Sequence, residues 1–130
     1  MAGKTHTISA ISTIVLGLIA TAAWPASAQS AKGNAQQGKA IYEAKCSACH
    51  SVDDNRVGSK HAGVLGRKAG SIKDYDYSPE LSRSKVVWTE GNLRRWLADP
   101  EMVIPGQRMG YRLGLAQERA DVVAYLAQLK

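Results

Sequence analysis

The sequence contains little cysteine, with two residues among 130. A disulfide between Cys46 and Cys49 would close a loop over the two residues between them, and so short a loop removes little entropy from the unfolded chain. A disulfide framework is therefore excluded as the main support of the fold. A small domain still tends to need a staple such as a metal or a cofactor, because it buries a low fraction of its surface.

Long apolar runs and dense basic runs are missing beyond residue 28. No apolar stretch there approaches the roughly 20 residues that a membrane-spanning helix needs, so we predict no integral membrane segment in the mature chain. The formal charge of the whole chain is +6, without the aromatic-interleaved basic run typical of nucleic-acid binders. We therefore predict no nucleic-acid partner, and the moderate positive excess indicates either an acidic partner surface or ordinary solubility.

The first 28 residues have the three parts of a secretory signal peptide. Lys4 supplies a positive start, apolar residues concentrate between Ile14 and Ala23, and the exit reads Ala-Ser-Ala at residues 26–28. The apolar stretch is too short and too interrupted to span a bilayer comfortably. We predict cleavage after Ala28, export to the periplasm and one mature domain over residues 29–130, with retention as an N-terminal anchor as the alternative.

The two cysteines belong to the segment CSACH at residues 46–50. A zinc site needs four ligands, and beyond Cys46, Cys49 and His50 the mature chain offers only His61. A thioredoxin-like redox pair needs a preceding strand, whereas the residues before Cys46 favour a helix. Haem attachment needs two thiols that add to the porphyrin vinyl groups and an adjacent histidine that reaches the iron. We therefore predict one covalent haem c, which also requires a second axial ligand further along the chain.

Helical patterns occur in three stretches, and none of the chain alternates like a strand for long. Residues 34–49 are rich in helix formers, and residues 116–130 carry an apolar stripe at helical spacing. Between them, Thr89 is a plausible cap for a helix that Pro100 stops. Glycine-rich and turn-rich segments fill the remainder, so the sequence predicts an all-α domain.

Gly38 lies inside the first predicted helix, where glycine costs about 1 kcal/mol relative to alanine. One explanation is the close approach of another helix, with Tyr42 and Tyr125 packed over the crossing. The alternative is that Gly38 marks a late start of the helix.

From Gly38 to Leu129 the chain resembles the class I c-type cytochromes of the mitochondrial and bacterial soluble type. The resemblance rests on ordered segments: GKAIYEAKCSACH, GVLGRKAG, YDYSPEL, VVWTEGNLRRWLADP, IPGQRM and ERADVVAYL. It implies the cytochrome c fold, in which the N- and C-terminal helices cross while shorter helices and loops wrap one covalently bound haem. It also implies attachment through Cys46 and Cys49, with His50 and Met109 as the axial ligands.

Met109 also meets the demands on a second ligand. It follows a turn at Pro105 and Gly106, and a soft thioether favours ferrous iron and raises the reduction potential. Met102 and His61 are the competitors.

The resemblance assigns roles to four further residues. Arg67, Tyr77 and Trp88 occupy the positions of donors to the haem propionates, whose burial is costly without hydrogen bonds. A solvated charge is the alternative for Arg67, and core packing is the alternative for Trp88. Trp96 occupies an aromatic position near the methionine side of the haem, where the family often has tyrosine. A hydroxyl that would bond the ligand sulfur is therefore expected to be missing.

Two positions depart from the family pattern. Ser59 stands where proline is usual; its carbonyl can still accept the Nδ1 proton of the proximal histidine, but its loop is less constrained. His61 stands where an apolar side chain is usual. It either makes the proximal pocket polar and pH-sensitive or points to solvent.

The resemblance implies a one-electron carrier rather than an enzyme. Lys45, Arg108 and Arg112 are expected to ring the haem edge and steer redox donors and acceptors with acidic docking surfaces, and a monomer is the default expectation. The alternative is a five-coordinate haem c gas sensor or peroxidase-like protein, which follows if Met109 does not bind iron.

Overall fold

A computed structural model describes Gly3 and residues 31–130. The predicted signal peptide and its cleavage site lie outside the described residues. The described residues contain five helices, in chain order α1 Ala35–Lys45, α2 Pro79–Arg83, α3 Glu90–Ala98, α4 Pro100–Val103 and α5 Ala116–Leu126. In this part of the chain the strand-like pairing is limited to one isolated antiparallel bridge between Lys68 and Val87. The all-α prediction is confirmed.

The helix ends follow local side-chain chemistry. The Asn34 side chain accepts hydrogen bonds from two backbone N–H groups of the first turn of α1, and the Thr89 hydroxyl accepts from the N–H of Asn92, as predicted. Pro100 lies beyond the end of α3 and begins α4, where its missing N–H costs nothing. The first helix is shorter than its sequence pattern indicated, because α1 ends at Lys45 and residues 46–49 form turns.

The first and last described helices cross at Gly38. A Cβ atom on Gly38 would overlap the backbone carbonyl group of Asp121, so a side chain there would push α5 away from α1. The rings of Tyr42 and Tyr125 pack beside the crossing, with centroids 5.3 Å apart. The predicted close approach is confirmed, and the alternative of a late helix start is wrong because α1 begins at Ala35.

A buried carboxylate joins the same two helices. Asp121 is 6% exposed, and its Oδ1 atom accepts hydrogen bonds from the backbone N–H of Asn34 at 2.8 Å and from the side chain of Gln117 at 2.8 Å. A negative group near the N-terminus of α1 also interacts favourably with the positive end of the helix dipole.

The hydrophobic core lies between α3, α5 and the intervening loops. Leu93, Trp96 and Leu97 of α3 are buried. Val122, Val123 and Leu126 of α5 are also buried. Within the described residues, no helix has the length and apolar character needed to cross a membrane.

Candidate functional site

A cavity of about 340 Å³ opens beside the core. Its walls come from the end of α1, the loops around residues 57–61, 75–78 and 107–111, and the inner faces of α3 and α5. Seven of the eight predicted site residues line it: Cys46, Cys49, His50, Tyr77, Trp88, Trp96 and Met109. The structure therefore brings together residues that are up to 63 positions apart.

The two thiols are presented by the turn that follows α1. The backbone N–H groups of Cys49 and His50 both donate to the carbonyl of Cys46, at 3.1 and 2.9 Å, and this turn places both sulfurs and the imidazole on one wall. Both cysteines are free thiols. Burial raises the pKa of Cys46 to about 11, so its sulfur is protonated at neutral pH.

A protein-only metal site does not fit these residues. Among the described residues, no group of three or more His, Cys, Asp or Glu side chains is arranged to hold a metal ion. Net addition of a thiol S–H across a vinyl group, in contrast, makes a thioether, with the sulfur on one vinyl carbon and the proton on the other.

His50 is held by a single backbone acceptor. Its Nδ1 atom donates to the carbonyl of Ser59 at 2.9 Å, as predicted, and this bond leaves Nε2 with a lone pair free to bind a metal. Burial lowers the pKa of His50 despite that bond, so the ring is neutral near pH 7. Gly58 packs so closely that a Cβ atom there would overlap the imidazole.

Met109 reaches the same cavity from a non-helical loop. The turn before it contains Gly106 at φ +85°, which confirms the predicted turn and suits glycine because left-handed backbone is strained for other residues. Met109 is half-buried. The competing Met102 is 76% exposed and does not line the cavity.

Trp96 lacks the hydroxyl of a tyrosine, as expected, but it supplies a different donor. Its indole N–H donates to the Met109 sulfur at 3.1 Å. The indole ring is larger than a phenol ring, and its Nε1 atom lies at the edge that faces the methionine. Trp96 also packs edge-to-face with Trp88, with ring centroids 5.0 Å apart.

Arg67 is the one predicted site residue that does not line the cavity. Its two terminal amino groups donate to the backbone carbonyls of Ala62 at 2.7 Å and Lys60 at 2.9 Å. Burial lowers the pKa of its guanidinium. In this structure Arg67 braces the loop that carries His61, and its role toward a propionate stays a prediction.

His61 lies against the proximal side rather than in solvent. Its ring stacks on His50 with centroids 4.2 Å apart and planes 19° from parallel, so the solvent-facing alternative was wrong. Burial, followed by the neighbouring His50 and Arg67, lowers the pKa of His61 to about 3. The ring is therefore neutral throughout the physiological pH range, and because it lies beside His50 it does not replace Met109.

Sequence reasoning missed Ser78, Tyr75 and Gln107, which also line the cavity. Ser78 is buried, and its hydroxyl accepts from the N–H of Leu81 as the cap of α2. The order Ser-Pro-Glu at residues 78–80 is a typical helix start and was the available signal. No comparable signal marks Tyr75 or Gln107, whose positions depend on loop packing.

The sequence model of the cytochrome c family matches residues 35–130. The chain belongs to the cytochrome c family. A cytochrome c2 of Rhodopseudomonas palustris is 37% identical over 75% of this chain and 99% of its own length. The cytochrome c of Sesamum indicum is 35% identical over 77% of this chain and 94% of its own length. The match therefore spans nearly the whole length of these relatives.

Solved structures agree with the sequence match. Cytochrome cH from Methylobacterium extorquens superposes with a TM-score of 0.70 at 36% identity, over 73% of this chain and 98% of that chain. Ferricytochrome c2 from Rhodopseudomonas palustris gives 0.69 at 38% identity, over 75% and 99%.

Family membership and the cavity identify the cofactor and the task. Two adjacent thiols, a neutral imidazole and a thioether in one cavity are the donor set that haem c requires, so the residues present fit the group. The chain binds one covalent haem c and carries electrons.

Proposed function

We propose that the chain is a soluble exported carrier of single electrons, with haem c attached through Cys46 and Cys49 and with His50 and Met109 as its axial ligands. The observation that carries this proposal is that both ligand side chains are already held in one cavity. The His50 ring is bonded to the Ser59 carbonyl at 2.9 Å, and the Met109 sulfur accepts from Trp96 at 3.1 Å. When bound, the haem iron supplies the one-electron change between ferrous and ferric states.

The protein residues keep the structural rearrangement that accompanies this change small. His50 and Met109 each have a hydrogen-bond partner within the chain, which limits how far they move when the charge of the site changes. Leu93, Leu97 and Leu126 line the cavity and exclude water, while the thioether of Met109 favours the ferrous state. Tyr77 and Trp88 line the same cavity and are proposed to donate to the propionates. If His50 and Met109 both held the iron, no substrate would reach it, as befits a carrier rather than an enzyme.

Redox proteins with acidic docking surfaces are the proposed partners, and the chain is proposed to act as a periplasmic monomer. The positive formal charge of the chain supports partners with acidic surfaces. Three cations near the cavity are paired within the chain: Lys45 with Glu118 at 2.7 Å, Arg108 with Asp76 at 3.3 Å and Arg112 with Asp99 at 2.9 Å. A partner's carboxylates would compete with these internal ones, so the attraction is expected to be modest.

Replacement of Met109 tests the carrier assignment. Met109→Ala should convert a low-spin protein into a high-spin one that binds carbon monoxide, because the sixth iron position is opened. The absorption spectra of the oxidised and reduced protein, after maturation in an exporting host that assembles cytochromes, measure this change. Met102→Ala, which alters an exposed methionine, should leave the parent spectrum unchanged.

Each outcome distinguishes the carrier from the sensor. A parent protein with covalent haem, a low-spin ferrous spectrum and the weak red ferric band of sulfur ligation supports His50 and Met109. A parent that is already high-spin and binds carbon monoxide would support the five-coordinate sensor or peroxidase-like alternative.

A further inference from the structure

Three aromatic rings form a row from α1 to the proximal wall of the cavity. The Tyr42 hydroxyl lies 3.0 Å from the Nδ1 atom of His61, and the His61 ring stacks on His50 at 4.2 Å. Tyr42 in turn packs against Tyr125 at the crossing of α1 and α5. The row connects the most tightly packed helix contact to the ring of His50.

The backbone on both sides of His61 is fixed as well. The N–H of His61 donates to the carbonyl of Ser51 at 3.0 Å. The Arg67 guanidinium holds the carbonyls of Lys60 and Ala62, the two residues that flank His61. The imidazole of His61 is thus held by its backbone and by its Nδ1 atom, and it has little freedom to turn away from His50.

The Tyr42 bond also selects a tautomer. Burial raises the pKa of Tyr42 to about 12, so its hydroxyl keeps its proton, and that proton needs an acceptor because the group is buried. Nδ1 of His61 is within reach. A neutral imidazole that accepts at Nδ1 carries its proton on Nε2.

We propose that His61, held by Tyr42 and Arg67, is a positioning residue that fixes the ring plane of His50. The proposal rests on the proposed function, since it requires His50 to bind iron. The bond to Ser59 fixes one atom of the His50 ring but allows rotation about the bond, and Ser59 lacks the ring that would stiffen its loop. Stacking on a second imidazole removes that rotation. The plane of an imidazole ligand matters because its π orbitals overlap with iron in a direction that the plane determines.

The test uses the full haem-loaded chain and two variants of the row. His61→Leu removes the stacking ring, and Tyr42→Phe removes the hydroxyl while keeping the ring. Electron paramagnetic resonance of the ferric protein reports the orientation of the axial imidazole through its g-values. We expect a clear shift of the g-values in His61→Leu and a smaller shift in Tyr42→Phe. Tyr125→Phe removes the other hydroxyl of the same ring cluster and should retain the parent g-values.

A second readout concerns the tautomer. Nitrogen-15 NMR of the ferrous protein should place the His61 proton on Nε2 in the parent, and this preference should be lost in Tyr42→Phe. Parent g-values in His61→Leu would overturn the proposal.

If His61→Leu does not retain haem, then Tyr42→Phe and His61→Phe decide. Tyr42→Phe must still shift the g-values, while His61→Phe, which keeps a flat ring against His50, should stay near the parent; any other result overturns the proposal. A parent without low-spin covalent haem would overturn the proposed function as well, and this is read before any variant is compared.

Discussion

At the scale of single residues, the hydrogen bond from Trp96 to Met109 is the clearest adjustment in the site. With Met109 as the proposed iron ligand, a donor aimed at its sulfur would withdraw electron density from it and so stabilise the electron-rich ferrous state. The same position with a tyrosine would present a hydroxyl, and the indole N–H at 3.1 Å serves in its place.

Trp96→Phe should therefore lower the reduction potential. The net value of a hydrogen bond is about 0.5–1.5 kcal/mol, which for one electron corresponds to about 20–60 mV. Protein-film voltammetry measures the shift. Trp96→Tyr, which restores a donor, should shift the potential less than Trp96→Phe. Equal potentials in the parent and in Trp96→Phe would show that the bond does not affect the iron.

Single residues also show how much of the site could be predicted from the sequence. The segment CSACH predicted the thiols and one ligand because covalent haem attachment imposes a fixed local spacing, and the Pro-Gly turn before Met109 was equally local. His61 and Arg67 were ambiguous because their neighbours are decided by loop packing. A one-dimensional pattern does not show whether a polar ring faces a ligand or solvent.

At the scale of the elements, the pairing of α1 with α5 depends on a close approach of the two helices and on the hydrogen bonds of one buried carboxylate. Gly38 permits the approach, and Asp121 joins the start of α1 to α5 through Asn34 and Gln117. The sequence predicted the first feature from the cost of a glycine in a helix. It missed the second, because an aspartate in the first turns of a helix is ordinarily explained by the helix dipole.

Asp121→Ala should destabilise the fold by about 1–3 kcal/mol, since it removes a buried carboxylate that accepts hydrogen bonds from the N–H of Asn34 and from Gln117. Urea unfolding of the haem-loaded protein measures the change through the midpoint at a constant slope. Asp121→Asn keeps an acceptor oxygen and should lose less. A midpoint in Asp121→Ala equal to that of the parent would contradict this account.

The two short helices, α2 and α4, are the elements that the sequence did not predict. The three longer helices, α1, α3 and α5, were indicated by apolar spacing or helix formers, whereas α2 and α4 fell in segments expected to be turns. Helices of five and four residues complete about one turn, so they leave no repeating apolar pattern to detect.

At the scale of the whole molecule, the net positive charge of the chain does not describe the charge near the cavity. The chain carries +6 overall, yet Lys45, Arg108 and Arg112 all have carboxylate partners. Exposed pairs of this kind contribute little to stability, but each carboxylate offsets the positive charge of its partner. The prediction that these cations ring the haem edge stays a prediction, and the sequence gave no indication of their carboxylate partners, which lie up to 73 residues away.

Glu118→Gln should release Lys45 and raise the rate of oxidation by the anionic reagent hexacyanoferrate(III) at low salt by about two-fold or more, from the Coulomb energy of one charge at about 10 Å in water. Stopped-flow kinetics across a range of ionic strength measure it, and the gain should fade as salt screens the charge. Glu43→Gln makes the same change of net charge beside Lys39, which is on the outer face of α1. A gain equal in the two variants would mean that net charge alone controls the encounter.

The hydrogen bond between Asn34 and Asp121 also has a consequence for folding. It joins residues 87 positions apart, and closing so long a loop costs conformational entropy before any contact repays it. The turns and helices within the loop form faster, since their contacts are local. Contacts between the first and last helices therefore require that loop to close, and until it closes, the thiols of Cys46 and Cys49 belong to an open chain whose cysteines are within easy reach of solvent.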